Sequence, residues 1–498
     1  MSRWLFLLAV VCLADPLAAP QVNNEPLVSA LSLFKQGKFQ EAATAYRAIL
    51  TKDSSSAGAH AGLVQSYLKA DDLPAAESAS AQALAALPQS APVHAVRGDV
   101  YFRKGLLRDA QTEYETALNL DSNCARAWLG MGKIHSAVSL NQYAREFFSK
   151  AHELDPDDGD ALYHWAVQLP YPQSVNELEK HLSQYRSTPR EERHEREFIN
   201  LVKGIGEREV WVGPAAPPAT DIKLDLLSPR PGTTLGLGVH VKFNESTAAT
   251  LLLDTGSSWM TIPRKLAEKI GARKISDYAI EGVGDSGPTA GYFAWVDKVT
   301  IGPVEFHDCV AHVTMKNDNA GDDGILGTDI FSKFLLTLDV HQRKLRLDSL
   351  PKAYLFAAGV RNHPIADQMD EKAFQFGHLL LLPTRVNHSI TALFVLDTGA
   401  NFSSITPQAV KQESNLHESD KRVSGVSGDV NKVSRFDDAL MEFAGAPPSR
   451  RDLLVFDRHS LSQQLGTEVS GFIGYDTLSR MKISINYQSG WVKVEESK

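Results

Sequence analysis

The C-terminal half of this 498-residue chain is written twice. Asp254-Thr-Gly256 returns as Asp397-Thr-Gly399, and Gly282 follows Asp254 by 28 residues just as Gly425 follows Asp397. Gly324-Ile-Leu-Gly-Thr-Asp-Ile-Phe-Ser-Lys-Phe334 aligns without a gap on Gly471-Phe-Ile-Gly-Tyr-Asp-Thr-Leu-Ser-Arg-Met481, and both run on into alternating strands, 335–347 and 482–494. A sequence duplicated at that spacing must fold into two equivalent lobes. Its short alternating or apolar runs, such as Leu235–Phe243, Thr250–Leu253 and Leu379–Leu382, are separated by Gly, Asp and Asn turns and predict strands throughout.

Upstream the character changes. From about Glu25 to Pro156 the chain repeats every 34 residues: Ala42, Ala76, Ala110 and Ala144 keep that step, and Ile49, Ala83, Ala117 and Ala151 follow it. Helix pairs are expected, with small Ala allowing close approach and Tyr46, Tyr114 and Phe148, four positions after an Ala, filling the groove between units. The unit Trp128-x-x-Met131-Gly132-x-x-His135, then Ala144-x-x-x-Phe148, then Pro156, resembles the tetratricopeptide repeat, and about four units are visible. The resemblance implies an all-α solenoid whose concave face takes a protein or peptide. The charged run Arg190–Glu197 reads as a solvated face capping that solenoid. His194 and Glu195 have no second ligand at metal spacing, so no metal site is expected there.

The resulting organisation is a leader at 1–20, a helical repeat domain at 25–203, a Pro/Gly-rich linker at 204–232, lobe 1 at 233–350, an inter-lobe linker at 351–375 and lobe 2 at 376–498. Met1-Ser-Arg3, the apolar run Trp4–Ala14 and the small residues to Ala19 have the order of a secretory signal, which places the protein outside the cytoplasm, secreted or periplasmic. A retained leader would tether it to a membrane. With Cys12 in the leader, Cys124 and Cys309 fall in different domains, and no disulfide framework is expected. A net charge of -9 without long single-sign runs speaks against nucleic acid as a partner.

Chemistry enters with the two Asp turns. An Asp at the end of an apolar strand, Leu251-Leu-Leu-Asp254 or Phe394-Val-Leu-Asp397, projects a carboxylate from a rigid sheet edge. Two such turns on duplicated lobes can face each other, and carboxylates in contact share one proton, because both cannot ionise. One then acts as general base on a water while the other polarises a carbonyl. Gly256 and Gly399 let backbone approach the carboxylates, Thr255 and Thr398 offer hydroxyls to the opposite lobe, and Ser257 can bond its Asp where Ala400 cannot.

These motifs resemble the pepsin and retropepsin families of aspartic proteases: Asp254-Thr-Gly-Ser257 looks like the pepsin form and Asp397-Thr-Gly-Ala400 like the retroviral form. The resemblance spans nearly all of 230–498 and implies an all-β bilobal fold, peptide hydrolysis by Asp254 and Asp397, and no cofactor or metal. The apolar-apolar-Gly elements Ile325-Leu-Gly327 and Phe472-Ile-Gly474 match the segment the families pack beneath each Asp turn. The stretches Glu281-Gly-Val-Gly-Asp-Ser-Gly287 and Ser424-Gly-Val-Ser-Gly428 stand where a flap covers substrate, which assigns Gly282, Val283, Gly284, Gly425 and Val426 to substrate contact. They lack the Tyr of the pepsin flap, and this leaves a rival reading, a catalytically silent scaffold that clasps a peptide. Gly284-Asp-Ser-Gly287 has no His segment ahead of it for serine catalysis, and His307 with Cys309 alternate on one strand without meeting. Asp329 and Asp476 are expected to cap the short helices after the apolar-Gly elements. A fragment starting near residue 220 is expected to act as a monomer.

Overall fold

The computed structural model describes residues 25–214, 219–228, 235–315, 323–350, 373–411 and 416–497. The expected leader at 1–20 and residues 351–372 of the inter-lobe linker lie outside them. Eleven helices run from Glu25 to Ile205. The 34-residue step is visible in their starts: Ala57, Ala91 and Ala125 open the first helices of successive pairs, and Phe39, Leu73, Leu107 and Asn141 open the second. Ala42, Ala76, Ala110 and Ala144 are buried where the helices meet. The aromatic positions work through glycines opposite them. Tyr46 covers Gly62, Tyr114 lies over both Gly98 and Gly130, and Phe148 covers Gly132; a Cβ on any of these would stand 2.2–2.5 Å from a ring atom.

The rest of the chain is β-structure built twice. In lobe 1 the strand Thr247–Asp254 lies between Gly236–Phe243 and the parallel strand Ile325–Gly327; in lobe 2 Ile390–Leu396 lies between Leu379–Val386 and the parallel strand Gly471–Ile473. Each sheet has eight strands in the same connectivity. Both Asp residues therefore emerge at the end of a central strand clamped on both sides. Leu251, Leu253, Leu396 and Ile473 enter the core, as the near-continuous apolar runs require. A five-stranded sheet joins the lobes, with Phe334–Asp339 antiparallel to Met481–Asn486, and Leu336, Leu338, Ile483 and Ile485 sharing one cluster with both lobe interiors.

Two organisational expectations change. The described residues of the expected linker 204–232 are tied into the lobes: Val212 bridges to His307, Trp211 packs on Phe306, Thr220–Lys223 is the outer strand of the joining sheet, and Asp225–Leu227 pairs with Gly236–Phe243. The Pro-rich clusters around these short strands hid them. Nor are the repeats a separate body. Phe102, Leu107, Met131 and Ile134 form one buried cluster with Phe374, Leu379, Leu381, Leu393, Val469 and Phe472 of lobe 2. Thr467 donates to the Phe102 carbonyl at 2.7 Å, and Ser139 to Gln375 at 2.8 Å.

A fragment starting near residue 220 would expose that lobe 2 face to water, which revises the expectation of an independent monomer. Phe102→Ala should accordingly weaken the protease half as well as the solenoid, by about 3 kcal/mol, the cost of deleting a buried Phe. Urea unfolding followed by hydrogen exchange on lobe 2 amides would show it; unchanged exchange at Leu381 and Leu393 would mean the domains fold independently.

Candidate active site

The two Asp-Thr-Gly turns meet. Thr255 N–H donates to Thr398 Oγ1 at 3.1 Å, and Thr398 N–H donates to Thr255 Oγ1 at 3.0 Å. Each hydroxyl then donates across the boundary, Thr255 to the Leu396 carbonyl at 2.7 Å and Thr398 to the Leu253 carbonyl at 3.0 Å. All four groups are buried, so each bond replaces one that water cannot supply. The glycines explain the contact that follows. A Cβ on Gly256 would lie 2.8 Å from Asp397 Cγ, and one on Gly399 2.5 Å from Asp254 Cγ, so each Asp carboxyl occupies the space the opposite glycine leaves open.

The carboxyls are not equivalent. Asp254 Oδ1 accepts from Gly256 N–H at 2.7 Å and from Gly399 N–H at 3.2 Å, and Oδ2 accepts from Ser257 Oγ at 2.7 Å. Asp397 takes Gly399 N–H at 3.0 Å and Ala400 N–H at 2.8 Å, both on Oδ1. Burial first, and the charge of Asp254 second, hold the Asp397 carboxyl well above the usual carboxylate range. Donors on both oxygens favour charge on Asp254, while Asp397 Oδ2 receives none of these bonds and is free to carry the shared proton. The Ser257/Ala400 difference thus becomes a difference in charge.

Both glycine-rich stretches form hairpins whose tips touch. Gly282 N–H donates to Ser427 Oγ at 3.1 Å, Ser427 N–H to the Val283 carbonyl at 3.0 Å, and Ser286 N–H to the Ser427 carbonyl at 2.8 Å. A Cβ on Gly284 or Gly425 would strike the facing hairpin's backbone at 2.4–2.5 Å, and Val426 packs against Gly282. Tyr278 stands on the first strand of the lobe 1 hairpin, tilted on Phe293 and edge-on to His312, three residues before the stretch whose sequence lacks a Tyr.

Several residues around the site were misread or unmarked in the sequence. Asp329 is not the cap of its short helix, whose N-cap is Gly327 without a side-chain bond; its Oδ1 accepts Trp259 N–H at 2.8 Å. Burial pushes its carboxyl up to about 7. Asp476 accepts both N–H and Oγ–H of Ser403. Both therefore brace the chain leaving an Asp turn against the following apolar-Gly element, and Asp476 also accepts the N–H of Thr477 in its own short helix at 2.8 Å, as expected of a cap. His378 Nε2 donates to the Gly256 carbonyl at 3.3 Å. The charged run at 190–197 is also not a merely solvated face: Arg190, Arg193 and His194 all contact Glu281 at the root of the flap, and Glu197 accepts Ala279 N–H at 3.1 Å. Paired charges across an interface and charges in water look alike in sequence. Cys124 and Cys309 are both buried and free.

Residues 239–330, which include Asp254, match a family model described as aspartyl protease, and two tetratricopeptide-repeat families match 33–100 and 96–160. A comparison with curated protein sequences gave no match. Among solved structures, that of Pseudomonas aeruginosa pilF is 18% identical over 36% of this chain and 83% of its own, with a TM-score of 0.24. MamA is 18% identical over 29% and 88%, at 0.21, and the aspartic proteinase from Irpex lacteus 14% identical over 56% and 98%, at 0.35. Scores this low support no inference.

The raised Asp397 carboxyl has a stability consequence. The folded state holds this proton more tightly than the unfolded chain, so stability falls as pH rises from the unfolded value, about 3.9, toward the folded one. Asp397→Asn removes that loss: its Tm should exceed wild type at pH 7 and converge with it near pH 3. Equal Tm differences at both pH values would show that the proton is not held there.

Proposed function

We propose that this chain, an aspartyl protease domain preceded by tetratricopeptide repeats, is an aspartic endopeptidase. The observation that carries the reading is the reciprocal fit of each Asp carboxyl into the space of the opposite glycine, which brings two carboxyls together with one of them favouring its proton. Asp254 removes a proton from water as the water oxygen bonds to the scissile carbonyl carbon. Asp397 gives its proton to the carbonyl oxygen. Collapse of the tetrahedral adduct breaks the C–N bond, with the proton on Asp254 passing to the leaving nitrogen and the hydroxyl proton returning to Asp397. No covalent enzyme intermediate is needed. The hairpins must part to admit a peptide, then close over it and exclude water.

The rival reading, a silent peptide-clasping scaffold, draws its support from the missing flap Tyr; Tyr278, on the first strand of the lobe 1 hairpin, packs on Phe293 and His312. The repeat domain, by its class of fold, offers a surface to a protein partner, and the leader-like N-terminus supports export; both belong to the same proposal.

The test uses the full chain and a mixed peptide library from pH 3 to 8. Wild type should release fragments, and Asp254→Asn and Asp397→Asn should each lower kcat at least 10³-fold, on the order of the loss when a paired acid or base is removed; identical products from wild type and variants would sink the hydrolase reading. Ser257→Ala removes the hydroxyl that donates to Asp254 Oδ2 at 2.7 Å and should lower kcat more than it raises KM. An unchanged kcat would show that Ser257 does not position the base.

A further inference from the structure

One cation of lobe 2 is buried with part of its guanidinium unsatisfied. Arg458 is 7% exposed and, among the described residues, forms no ion pair. Its Nη2 donates to Ser404 Oγ at 2.6 Å, and its guanidinium carbon sits 3.6 Å from the Phe472 ring centre and 4.0 Å from that of Phe456. Its Nε is sealed from solvent without a hydrogen-bond partner. Stacking on two aromatic faces stabilises a cation but does not satisfy an N–H donor. An unpaired buried guanidinium costs several kcal/mol, and a fold keeps such a group where something else completes it.

Its position says what that is. Phe472 pairs in register with Val395, two residues before Asp397, and with Ser404 on the other side. Alternation turns Leu396 and Ile473 into the core and puts Val395 and Phe472 on the opposite sheet face, the one on which Asp397 follows. Arg458 therefore stands over the lobe 2 sheet face that runs up to the dyad, a face on which Phe102 and Met131 of the repeat domain also pack, and the Asp397 carboxyl lies within its electrostatic reach. The short helix His459–Leu465 that follows Arg458 is held by the repeat domain. Asp71 accepts from Gln463 at 2.6 Å and contacts His459, and Arg190 Nη1 donates to the Ser460 carbonyl at 2.7 Å. The other end of the Arg190 guanidinium contacts Glu281 at the base of the lobe 1 hairpin, so the repeat domain ties that hairpin to the helix that follows Arg458.

We propose that Arg458 is a specificity residue of the lobe 2 half of the groove and receives a carboxylate of the substrate, from an Asp or Glu side chain or from the peptide's own C-terminus. Nε and a neighbouring Nη present the parallel pair of donors that a carboxylate accepts, and the stacked rings hold the fork in plane. The proposal rests on the hydrolase reading of Asp254 and Asp397, and its test separates the two.

Full-length wild type, Arg458→Lys and Arg458→Gln are assayed on peptides carrying Asp or Glu against Asn or Gln at each position, each with a free or an amidated C-terminus. Wild type should favour one carboxylate placement by about 10- to 100-fold in kcat/KM, the range for a hydrogen bond to a charged group. The position scan and the amide pair tell a side-chain carboxylate from a terminal one. That ratio should collapse toward one in Arg458→Gln and be partly kept in Arg458→Lys, where charge remains without the fork. Fluorescence anisotropy of the same labelled peptides on Asp254→Asn reads binding without turnover, and should show the same preference, absent in Asp254→Asn/Arg458→Gln.

Indifference of wild type to every carboxylate overturns the proposal, whether or not the Gln variant folds. So does a preference that survives in Arg458→Gln, or a Gln variant whose only change is a shifted pH profile, which would make Arg458 the dyad's counter-ion. Carboxylate-dependent binding through Arg458 without any cleavage by wild type keeps the site and removes the hydrolase reading; neither binding nor cleavage removes both.

Discussion

The crossed threonines are the constraint on which the rest depends. Thr255 and Thr398 each donate through a hydroxyl to the opposite strand's last carbonyl and receive the opposite turn's N–H, so neither Asp turn is complete without the other. Because these groups are buried, removing either hydroxyl with the interface closed would leave its N–H and carbonyl partners unsatisfied, at roughly 1–3 kcal/mol each. The joining sheet acts in parallel, with Phe334–Asp339 and Met481–Asn486 carrying the lobe cores into one another. The dyad is thus a product of the lobe interface, and its position is as rigid as that interface.

The symmetry is broken where chemistry needs it. Ser257 and Ala400 hold equivalent places, yet one adds a hydroxyl donor to its Asp and the other adds only backbone. Burial then favours the proton on Asp397. A duplicated scaffold with equal carboxyls would leave the proton's place to the substrate; here it is assigned before anything binds.

The repeat domain is part of the same machine. Its middle helices cover an apolar face of lobe 2, and its last helix, Pro189–Ile205, holds the flap root of lobe 1 through Glu281. A partner on the solenoid would therefore act on elements already in contact with the flap, without any signal having to cross a flexible linker.

Local pattern determined much of this protein. The 34-residue period requires helix pairs because it keeps Ala where helices touch and an aromatic where they diverge, and the duplicated Asp-Thr-Gly, flap glycines and apolar-Gly elements require two like lobes. Those features are periodic or repeated, so they are visible without knowing what they touch. Tertiary structure alone decided the rest. Asp329 and Asp476 proved to brace the Asp turns, the charged run at 190–197 turned from a solvated face into a grip on Glu281, and 220–223 and 225–227 of the expected linker turned into strands. Arg458 carried no mark in the sequence at all. Whether a charge is solvated, paired or left bare depends on residues hundreds of positions away, such as Asp71 beside His459, and no local period encodes that distance.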